Sequence, residues 1–189
     1  MTAKEIDYKG FKIEIWYDED LTFDFFDHLG KFYTNCPRDL NPCNATIQEI
    51  LDEDDRIDEN YIYVPVYAYI HSGVALSLGR FSDPWDSGFG CVMATTMDEV
   101  KKWYSKEIPT KEKIIEHLKG DVHELNSFCQ GEVYGYTVYD EDGEEIDSCG
   151  GYVGDMDYVI SEAETTIDCK INNDYKKAFV ESMMYADAE

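Results

Sequence analysis

Two short stretches of the chain concentrate carboxylates, the side chains that bind metal ions and pair with cations. LDEDDRIDEN spans residues 51–60 and DEDGEE spans residues 140–145, and Arg56 is the single basic residue within them. We name them the first and the second acidic stretch. Their carboxylates are the first candidates for a binding site: Asp52, Glu53, Asp54, Asp55, Asp58, Glu59, Asp140, Glu141, Asp142, Glu144 and Glu145.

Neither acidic stretch has the spacing of an EF-hand calcium loop, which needs oxygen ligands at positions 1, 3 and 5, glycine at 6 and glutamate at 12. Counting from Asp140 puts Glu145 at position 6, and counting from Asp52 puts Arg56 and Ile57 at positions 5 and 6. The cysteines also lack the C-x-x-C spacing of a zinc site. We therefore expect no metal site and no cofactor, and divalent ions only as counter-ions.

Motifs of the common catalytic classes are missing. The sequence contains neither the nucleophile motif G-x-S-x-G nor the phosphate-binding motif G-x-x-x-x-G-K. Its four histidines, at positions 28, 71, 117 and 123, are scattered, and we interpret them as surface or satisfied core residues. The chain is therefore not predicted to be an enzyme, and a metal-dependent enzyme is kept only as a third alternative.

Net charge limits the class of partner. Forty-one Asp and Glu against 16 Lys and Arg give a net charge of −25, while 43% of the residues are hydrophobic and 14% aromatic, as in a folded domain. This charge opposes direct nucleic-acid binding, because it repels phosphate. It also exceeds the magnitude of about 2–8 that keeps a small domain soluble. We interpret it as serving a cationic partner, with solubility or salt tolerance as the alternative.

The size of the charge is comparable to that of DNA. A compact domain of this length has a diameter of roughly 40 Å. B-DNA of that length carries about 24 phosphate charges, against a net charge of −25 for the protein. A surface of this kind has enough charge to occupy a protein channel built for DNA.

The sequence predicts a cytoplasmic protein that does not enter a membrane. The N-terminal residues MTAKEIDYKG lack a signal-peptide pattern, and no run approaches the roughly 18 apolar residues of a membrane span. We expect the six cysteines to be reduced thiols, as is usual in the cytosol: Cys36, Cys43, Cys91, Cys129, Cys149 and Cys169.

The predicted fold is α+β, with helices packed on a mainly antiparallel sheet in a single domain over residues 1–189. Alternating apolar residues predict a strand over 11–18, two strands within 61–81 that turn at Gly73, a strand at 91–95 and a hairpin over 131–155. Pro65 indicates an edge position or a bulge.

Helices are predicted from capping residues and helical spacing. Asn44 is the expected N-cap of a helix that ends at the first acidic stretch, and residues 22–33 are a short aromatic helix or an irregular segment. Four more helices are predicted: one capped by Thr96 with Glu99, one over 110–128, one capped by Ser161 with Glu164, and one from Asp174.

Three stretches resemble the shared core of small acidic proteins carried by phages, plasmids and integrative elements of Gram-positive bacteria. They are DPWDSGFG (83–90), GEVYGYTVYDEDGEEIDSC (131–149) and GGYVGD (150–155). That family has a W-D-S-G loop and a G-x-V-Y-G-Y strand that leads into D-S-C-W-G-F-Y-G-D. The resemblance covers residues 61–160, and the chain departs from the pattern at Gly150, where the family has Trp, and at Val153.

The resemblance implies an accessory protein of a mobile element. Together with the charge, it predicts an inhibitor of a host defence nuclease, of the anti-CRISPR or antirestriction kind, which mimics DNA. The expected partner is a Cas9-type effector with its guide, or a restriction enzyme. Trp85, flanked by Asp83 and Asp86, is the expected anchor of that interface. The alternative is a non-mimic interaction protein that binds through hydrophobic anchors.

Overall fold

The computed structural model describes residues 1–20, 27–35, 45–71, 73–82 and 87–186, and among these the side chains at 87, 89 and 178–186 are not described. Eight strands are present in this part of the chain: β1 (Thr2–Tyr8), β2 (Phe11–Tyr17), β3 (Lys31–Thr34), β4 (Tyr61–Ile70), β5 (Val74–Ser77), β6 (Ser87–Thr96), β7 (Val133–Tyr139) and β8 (Glu145–Val153). The helices there are α1 (Met97–Trp103), α2 (Lys111–Cys129), α3 (Met156–Ala186) and a single 3-10 turn (Ile47–Ile50).

The α+β class is confirmed, with antiparallel pairing throughout two four-stranded sheets. The chain divides into two compact units. Residues 1–19 and 132–189 form the terminal unit, and residues 20–131 form the central unit. Each unit has its own sheet and its own apolar core. That the whole chain is a single domain stays a prediction.

The terminal unit has the strand order β1-β2-β7-β8, with α3 packed on β2 and β7. The strand predicted over 11–18 and the hairpin predicted over 131–155 are confirmed. On β2, alternation buries Ile13 and Ile15 completely. Val159, Ala163 and Ile167 of α3 follow at four-residue spacing and are equally buried, so one helical stripe covers one face of the sheet.

β1 was not predicted, because its sequence TAKEIDY does not alternate clearly between apolar and polar residues. It is held as an edge strand by the two-residue turn to β2. Both turn residues have positive φ, 52° at Lys9 and 89° at Gly10, as a type I′ hairpin turn requires. Lysine is rarely found there, which is why the turn gave no signal in the sequence.

The prediction of separate helices capped at Ser161 and beginning at Asp174 is wrong. α3 runs without a break from Met156. Its first turn is capped earlier, because the Asp155 carboxylate accepts a hydrogen bond of 2.9 Å from the Asp157 backbone N–H. Ser161 lies inside the helix, where its carbonyl accepts a bond of 2.8 Å from the Thr165 hydroxyl. The S-x-x-E spacing therefore matched a capping box by chance.

The central unit has the strand order β3-β6-β4-β5, with α2 packed on β4, β5 and β6. The helix predicted over 110–128, the strand at 91–95 and the two strands within 61–81 are confirmed. The Thr110 hydroxyl accepts from the Lys113 N–H at the start of α2. The apolar face of α2 is almost completely buried: Ile114, Leu118, Val122 and Leu125.

Pro65 lies in the half of β4 that pairs with β6 alone, because β5 pairs only with Tyr67–Ile70. The register to β6 shifts immediately afterwards, between Val66 and Tyr67. The prediction of an edge position or a bulge is therefore confirmed. A missing N–H is tolerated at such a position because only one side of the strand needs a partner.

The predicted helix after Asn44 is a single 3-10 turn, Ile47–Ile50. Its cap is Thr46, whose N–H donates to the Glu49 carboxylate at 2.8 Å, and Asn44 itself lies outside the described residues. The segment predicted as helical or irregular over 22–33 ends in strand β3, while residues 21–26 lie outside the description. Thr96 caps α1 as predicted, accepting from the Glu99 N–H at 3.3 Å.

Trp16 of β2 covers the backbone of β7 and β8, the next two strands of the sheet. Its indole N–H donates to the Thr137 hydroxyl at 3.1 Å. A Cβ added to Gly135 would overlap the indole, and one added to Gly150 would lie 2.9 Å from Trp16 Cη2 and 2.7 Å from Asp18 Oδ2. Both glycines are therefore needed where they stand. The family's Trp at position 150 has no room beside Trp16.

Gly135→Ala should destabilise the protein by about 1–3 kcal/mol, because the new methyl group must displace the indole from a packed position. Gly120→Ala is the matched control, since no atom outside the local helix backbone lies within 4 Å of its added Cβ. That helical substitution should stabilise by about 0.5–1 kcal/mol. Urea unfolding measures both, and equal effects of the two substitutions would contradict the close approach of Trp16 to Gly135.

Candidate functional site

The first acidic stretch is a closed loop between the 3-10 turn and β4. An antiparallel bridge between Leu51 and Ile57 closes it, and the Asp52 N–H donates to the Arg56 carbonyl at 2.7 Å. Asp55 stands at the tip with φ of 57°, a conformation that aspartate tolerates better than most residues. The stretch was predicted to follow a full helix, but the helix before it is a single 3-10 turn. A helix of one turn has little dipole, so the acidic residues at its end cost little.

Two carboxylates of this loop bind its own backbone. Asp52 Oδ1 accepts from the N–H groups of Asp54 and Arg56, both at 2.9 Å. Asp58 Oδ1 accepts from the Asn60 backbone N–H at 2.8 Å and from its side-chain amide at 2.7 Å. Bonds of this kind stabilise tight turns. These two residues hold the loop, and the other four acidic side chains are exposed on it: Glu53, Asp54, Asp55 and Glu59.

The second acidic stretch forms the turn between β7 and β8, and it is built in the same way. Asp140 Oδ1 accepts from the N–H groups of Asp142 and Glu144, at 3.0 and 2.9 Å. Gly143 provides the positive φ of 79° that the turn needs. The remaining carboxylates are exposed: Glu141, Asp142, Glu144 and Glu145.

None of the eleven acidic residues of the two stretches makes a salt bridge with another described residue. The lysines pair elsewhere, for example Lys12 with Glu5 at 3.0 Å and Lys9 with Asp168 at 2.6 Å. The first stretch belongs to the central unit and the second to the terminal unit. Asp83, Trp85 and Asp86 lie outside the described residues.

A second polar cluster lies in the central unit, and sequence analysis missed it. His117 Nε2 lies 3.6 Å from Asp121 Oδ1, and His28 Nδ1 lies 3.9 Å from the same oxygen. The other Asp121 oxygen accepts from the Gly30 N–H at 2.8 Å. The side chains of His28 and Asp121 are 6% and 5% exposed, so this is a buried imidazole–carboxylate pair. Of the two alternatives predicted for the histidines, surface or core, His28 lies in the core.

Burial determines the protonation of this pair. Desolvation lowers the pKa of His28 and raises the pKa of Asp121. The hydrogen bond from the Gly30 N–H and the nearby His117 each lower the pKa of Asp121, but desolvation is the larger effect. His117 contacts Asp121 through Nε2, and its Nδ1 lies 2.6 Å from the Tyr104 hydroxyl. The H-x-x-x-D spacing of His117 and Asp121 on a predicted helix was a usable signal. The position of His28 gave no such signal, because His28 comes close to Asp121 only in the folded protein.

A cavity of about 340 Å³ opens beside His28. It lies between β3, the start of β4 and the end of β6, and its polar lining residues are His28, Lys31, Tyr33, Tyr61, Thr95, Thr96 and Glu99. The rings of Tyr33 and Tyr61 meet edge to face with centroids 6.3 Å apart. Burial raises the pKa of Tyr33 to about 12, so this phenol is neutral at physiological pH.

Cys129, Cys149 and Cys169 carry free thiols, while Cys36 and Cys43 lie outside the described residues. Within the part of the chain that is described, no group of three or more His, Cys, Asp or Glu side chains could hold a metal ion. The described helices include none that is long and apolar enough to span a membrane.

Comparison with protein-family models, with curated proteins and with solved structures gives no match. The features of the molecule that bear on function are therefore the two acidic stretches, the buried pair and the cavity.

Asp121→Ala should lower the free energy of unfolding by about 1–3 kcal/mol, because the Gly30 N–H loses its acceptor inside the protein. Asp121→Asn keeps an acceptor oxygen at the same place, so its free energy of unfolding should fall by less than half as much. Urea unfolding at pH 7 separates the two variants. Equal losses would show that the negative charge, rather than the hydrogen bond, holds β3 to α2.

His28 should make the protein less stable as the pH falls below about 6.5, the ordinary pKa of histidine. Because its folded pKa is lowered, the unfolded chain takes up the proton first, and stability declines from pH 6.5 down to the folded pKa. His28→Gln should lose less stability than the native chain between pH 8 and pH 5. Parallel urea titrations of both proteins measure the difference, and identical pH profiles would contradict this.

Proposed function

We propose that the protein inhibits a host defence nuclease by presenting its acidic stretches to a cationic nucleic-acid channel. The target is a Cas9-type effector with its guide, in an anti-CRISPR role, or a restriction enzyme, in an antirestriction role. One observation carries the proposal: the eleven carboxylates of the two stretches make no salt bridge with any described residue, although lysines elsewhere in the chain are paired.

Exposed and unpaired carboxylates are suited to this role for a physical reason. Arg and Lys side chains in a nucleic-acid channel bind phosphate oxygens, and a carboxylate offers Arg a similar pair of acceptors. Charges already paired within the protein would first have to exchange partners. The carboxylates here remain available, so association would gain charge pairing without breaking an internal ion pair.

Preorganisation of the loops also supports the proposal. The hydrogen bonds from backbone N–H groups to Asp52, Asp58 and Asp140 hold both turns in one conformation. A loop that is already ordered loses less conformational entropy when it binds. The resemblance of residues 61–160 to acidic proteins of mobile elements agrees with such an inhibitor.

A non-mimic interaction protein is the second candidate, favoured by apolar side chains exposed on the central unit. Trp103 at the end of α1 is 41% exposed, Met97 at its start is 38% exposed, and Ile108 is 49% exposed. Exposed tryptophan is common at binding hot spots. In this alternative the apolar residues bind the target, and the acidic stretches only accelerate association.

Neutralising the exposed carboxylates of one stretch should weaken inhibition. The first variant is Glu53→Gln, Asp54→Asn, Asp55→Asn and Glu59→Gln, which leaves Asp52 and Asp58 to hold the loop. The second changes Glu141, Asp142, Glu144 and Glu145 in the same way and leaves Asp140. Loss of four exposed ion pairs should weaken target binding about tenfold, since each contributes modestly. The measurement is competition with labelled DNA for a Cas9–guide complex and for a type I restriction enzyme.

The matched control neutralises four exposed acids outside both stretches: Glu19, Glu107, Glu116 and Asp174. It changes the net charge by the same amount and should inhibit like the native chain. Native inhibition should also fall steeply between about 50 and about 300 mM salt, as expected for displacement of a phosphate backbone. Equal weakening by all three variants would indicate long-range steering alone, and no competition with either enzyme would refute the proposal for these targets.

A further inference from the structure

One face of β4 carries a row of aromatic side chains. Alternation buries Val64, Val66 and Ala68 in the core that β4 shares with α2, and it turns the odd-numbered residues to the opposite face of the sheet. We name these residues the tyrosine row: Tyr61, Tyr63, Pro65, Tyr67 and Tyr69. Residues on one face of a strand repeat every two positions, so successive members of the row are about 7 Å apart.

The far end of the tyrosine row is occupied by the chain itself. Arg80 lies over the Tyr67 ring, with its guanidinium carbon 6.0 Å from the ring centroid. Phe81 follows and packs on Tyr69, with ring centroids 5.7 Å apart. The Arg80 distance is at the limit of the cation–π range, about 6 Å. The fold therefore already places an arginine on one ring of the row.

The near end of the row has a cation beside it as well. The Tyr61 ring meets the Tyr33 ring of β3 edge to face, with centroids 6.3 Å apart. Lys31 Nζ lies 5.2 Å from the centroid of Tyr33. The chain has only 16 Lys and Arg for 41 carboxylates, and two of these cations lie over tyrosine rings at the two ends of the row.

The middle of the row is open. Tyr63 is 44% exposed, and Pro65 beside it is also exposed. β5 pairs only with Tyr67–Ile70, so among the described residues no strand flanks Tyr63 and Pro65 on that side. The residue opposite Tyr63 on β6 is Ala94, whose side chain is too short to cover the ring. In the described part of the chain, no ring or cation lies over Tyr63.

We infer that Tyr63 and Pro65 bind an arginine side chain of a partner protein, which lies over the Tyr63 ring as Arg80 lies over Tyr67. The charge of the chain selects this class of partner. A row of aromatic rings is also suited to stacking nucleotide bases. However, a net charge of −25 repels the phosphates that accompany those bases, whereas it attracts a cationic protein segment.

Arginine suits this position better than lysine does. Its guanidinium group is planar, stacks on aromatic rings and is more weakly hydrated than an ammonium group. It therefore loses less hydration when it lies on a half-exposed ring. Its N–H donors point outwards from the edges of the plane, where they can still bind carboxylates.

The first acidic stretch brings carboxylates next to the row. It ends at Asn60, directly before β4, and the Tyr61 N–H donates to the Asp58 carbonyl at 3.0 Å, so the backbone fixes the loop to the row. Glu59 is exposed and lies two residues from Tyr61 in the chain. A segment rich in arginine can thus contact rings and acids together. The inference rests on the proposed function for its cationic partner, while the preference for arginine is a property of the row itself.

The test compares two peptides of equal charge, Gly-Arg-Gly-Arg-Gly-Arg-Gly and the same peptide with Lys in place of Arg. Each is titrated into the native protein at about 150 mM salt, where long-range attraction is screened, and amide shifts are followed by NMR. The arginine peptide should bind more than about twofold tighter, with saturable shifts centred on residues 61–65. Equal binding of the two peptides would overturn the inference, because charge alone would then explain it.

Variants of Tyr63 test the ring. Tyr63→Leu keeps an apolar side chain and should weaken binding of the arginine peptide about two- to fivefold, as expected for one exposed cation–π contact. Tyr63→Phe keeps the ring and should bind like the native chain. Tyr175→Leu is the matched control, since Tyr175 is 72% exposed on α3, and it should change nothing. Equal weakening by both leucine variants, or shifts confined to the acidic stretches, would contradict the assignment.

Other classes of partner are tested at the same residues. A proline-rich peptide or a single-stranded thymidine oligonucleotide that binds residues 61–65 more tightly than the arginine peptide would overturn the inference in favour of that class. Melting temperatures show whether the variants are folded. If Tyr63→Leu does not fold, Tyr63→Phe and the comparison of the two peptides on the native chain still decide.

The nuclease competition assay separates this inference from the proposed function. If Tyr63→Leu also weakens inhibition, the bound arginine belongs to that nuclease. If the variant binds the arginine peptide less tightly and inhibits like the native chain, the row binds an arginine of another partner protein. If the native chain inhibits neither enzyme, the proposed function fails, while the peptide titrations still decide the role of the row.

Discussion

A shortage of cations is the constraint on which the rest of this structure depends. Sixteen Lys and Arg cannot neutralise 41 carboxylates, so most acidic side chains need another partner or must face water. The protein uses backbone N–H groups for this purpose. Asp52, Asp140 and Asp155 accept from backbone donors at turns and at a helix start, and Asp121 does so inside the central unit. The short aspartate side chain is suited to such local bonds.

The bond from Gly30 to Asp121 connects this constraint with the core of the central unit. It fixes the beginning of β3 against α2 at a place where the packing is very close, since a Cβ on Gly30 would lie 2.6 Å from Met93 and 2.7 Å from Leu118. The buried carboxylate in turn holds His117 and His28 beside it. The cavity thus lies next to one of the most tightly constrained positions of the unit, which favours a preformed site.

Much of the fold could be predicted from sequence wherever local periodicity was strong. β2 and α2 were placed correctly, because each buries one regular face. α3 was divided wrongly at Ser161, because a matching S-x-x-E spacing was weighed above the apolar repeat that continues through it. β1 gave no pattern, since an edge strand depends on its neighbour and on its turn rather than on alternation.

The acidic stretches could be located from composition alone, but the distinct roles of their residues could not. Asp52 and Glu53 look equivalent in the sequence, and only the folded turn makes one a backbone partner and leaves the other exposed. The His28–Asp121 pair arises from a tertiary contact between distant segments. No rule of residue spacing in the sequence predicts such contacts.

Trp16 has a consequence for how sequences of this fold can vary. Its indole lies over both Gly135 and Gly150, on two successive strands. The sheet has space for one large aromatic group there, supplied either from β2 or from β8. Substitutions at positions 16 and 150 are therefore coupled: a chain that acquires tryptophan at 150 must reduce the side chain at 16, and an intermediate with both would carry a steric conflict.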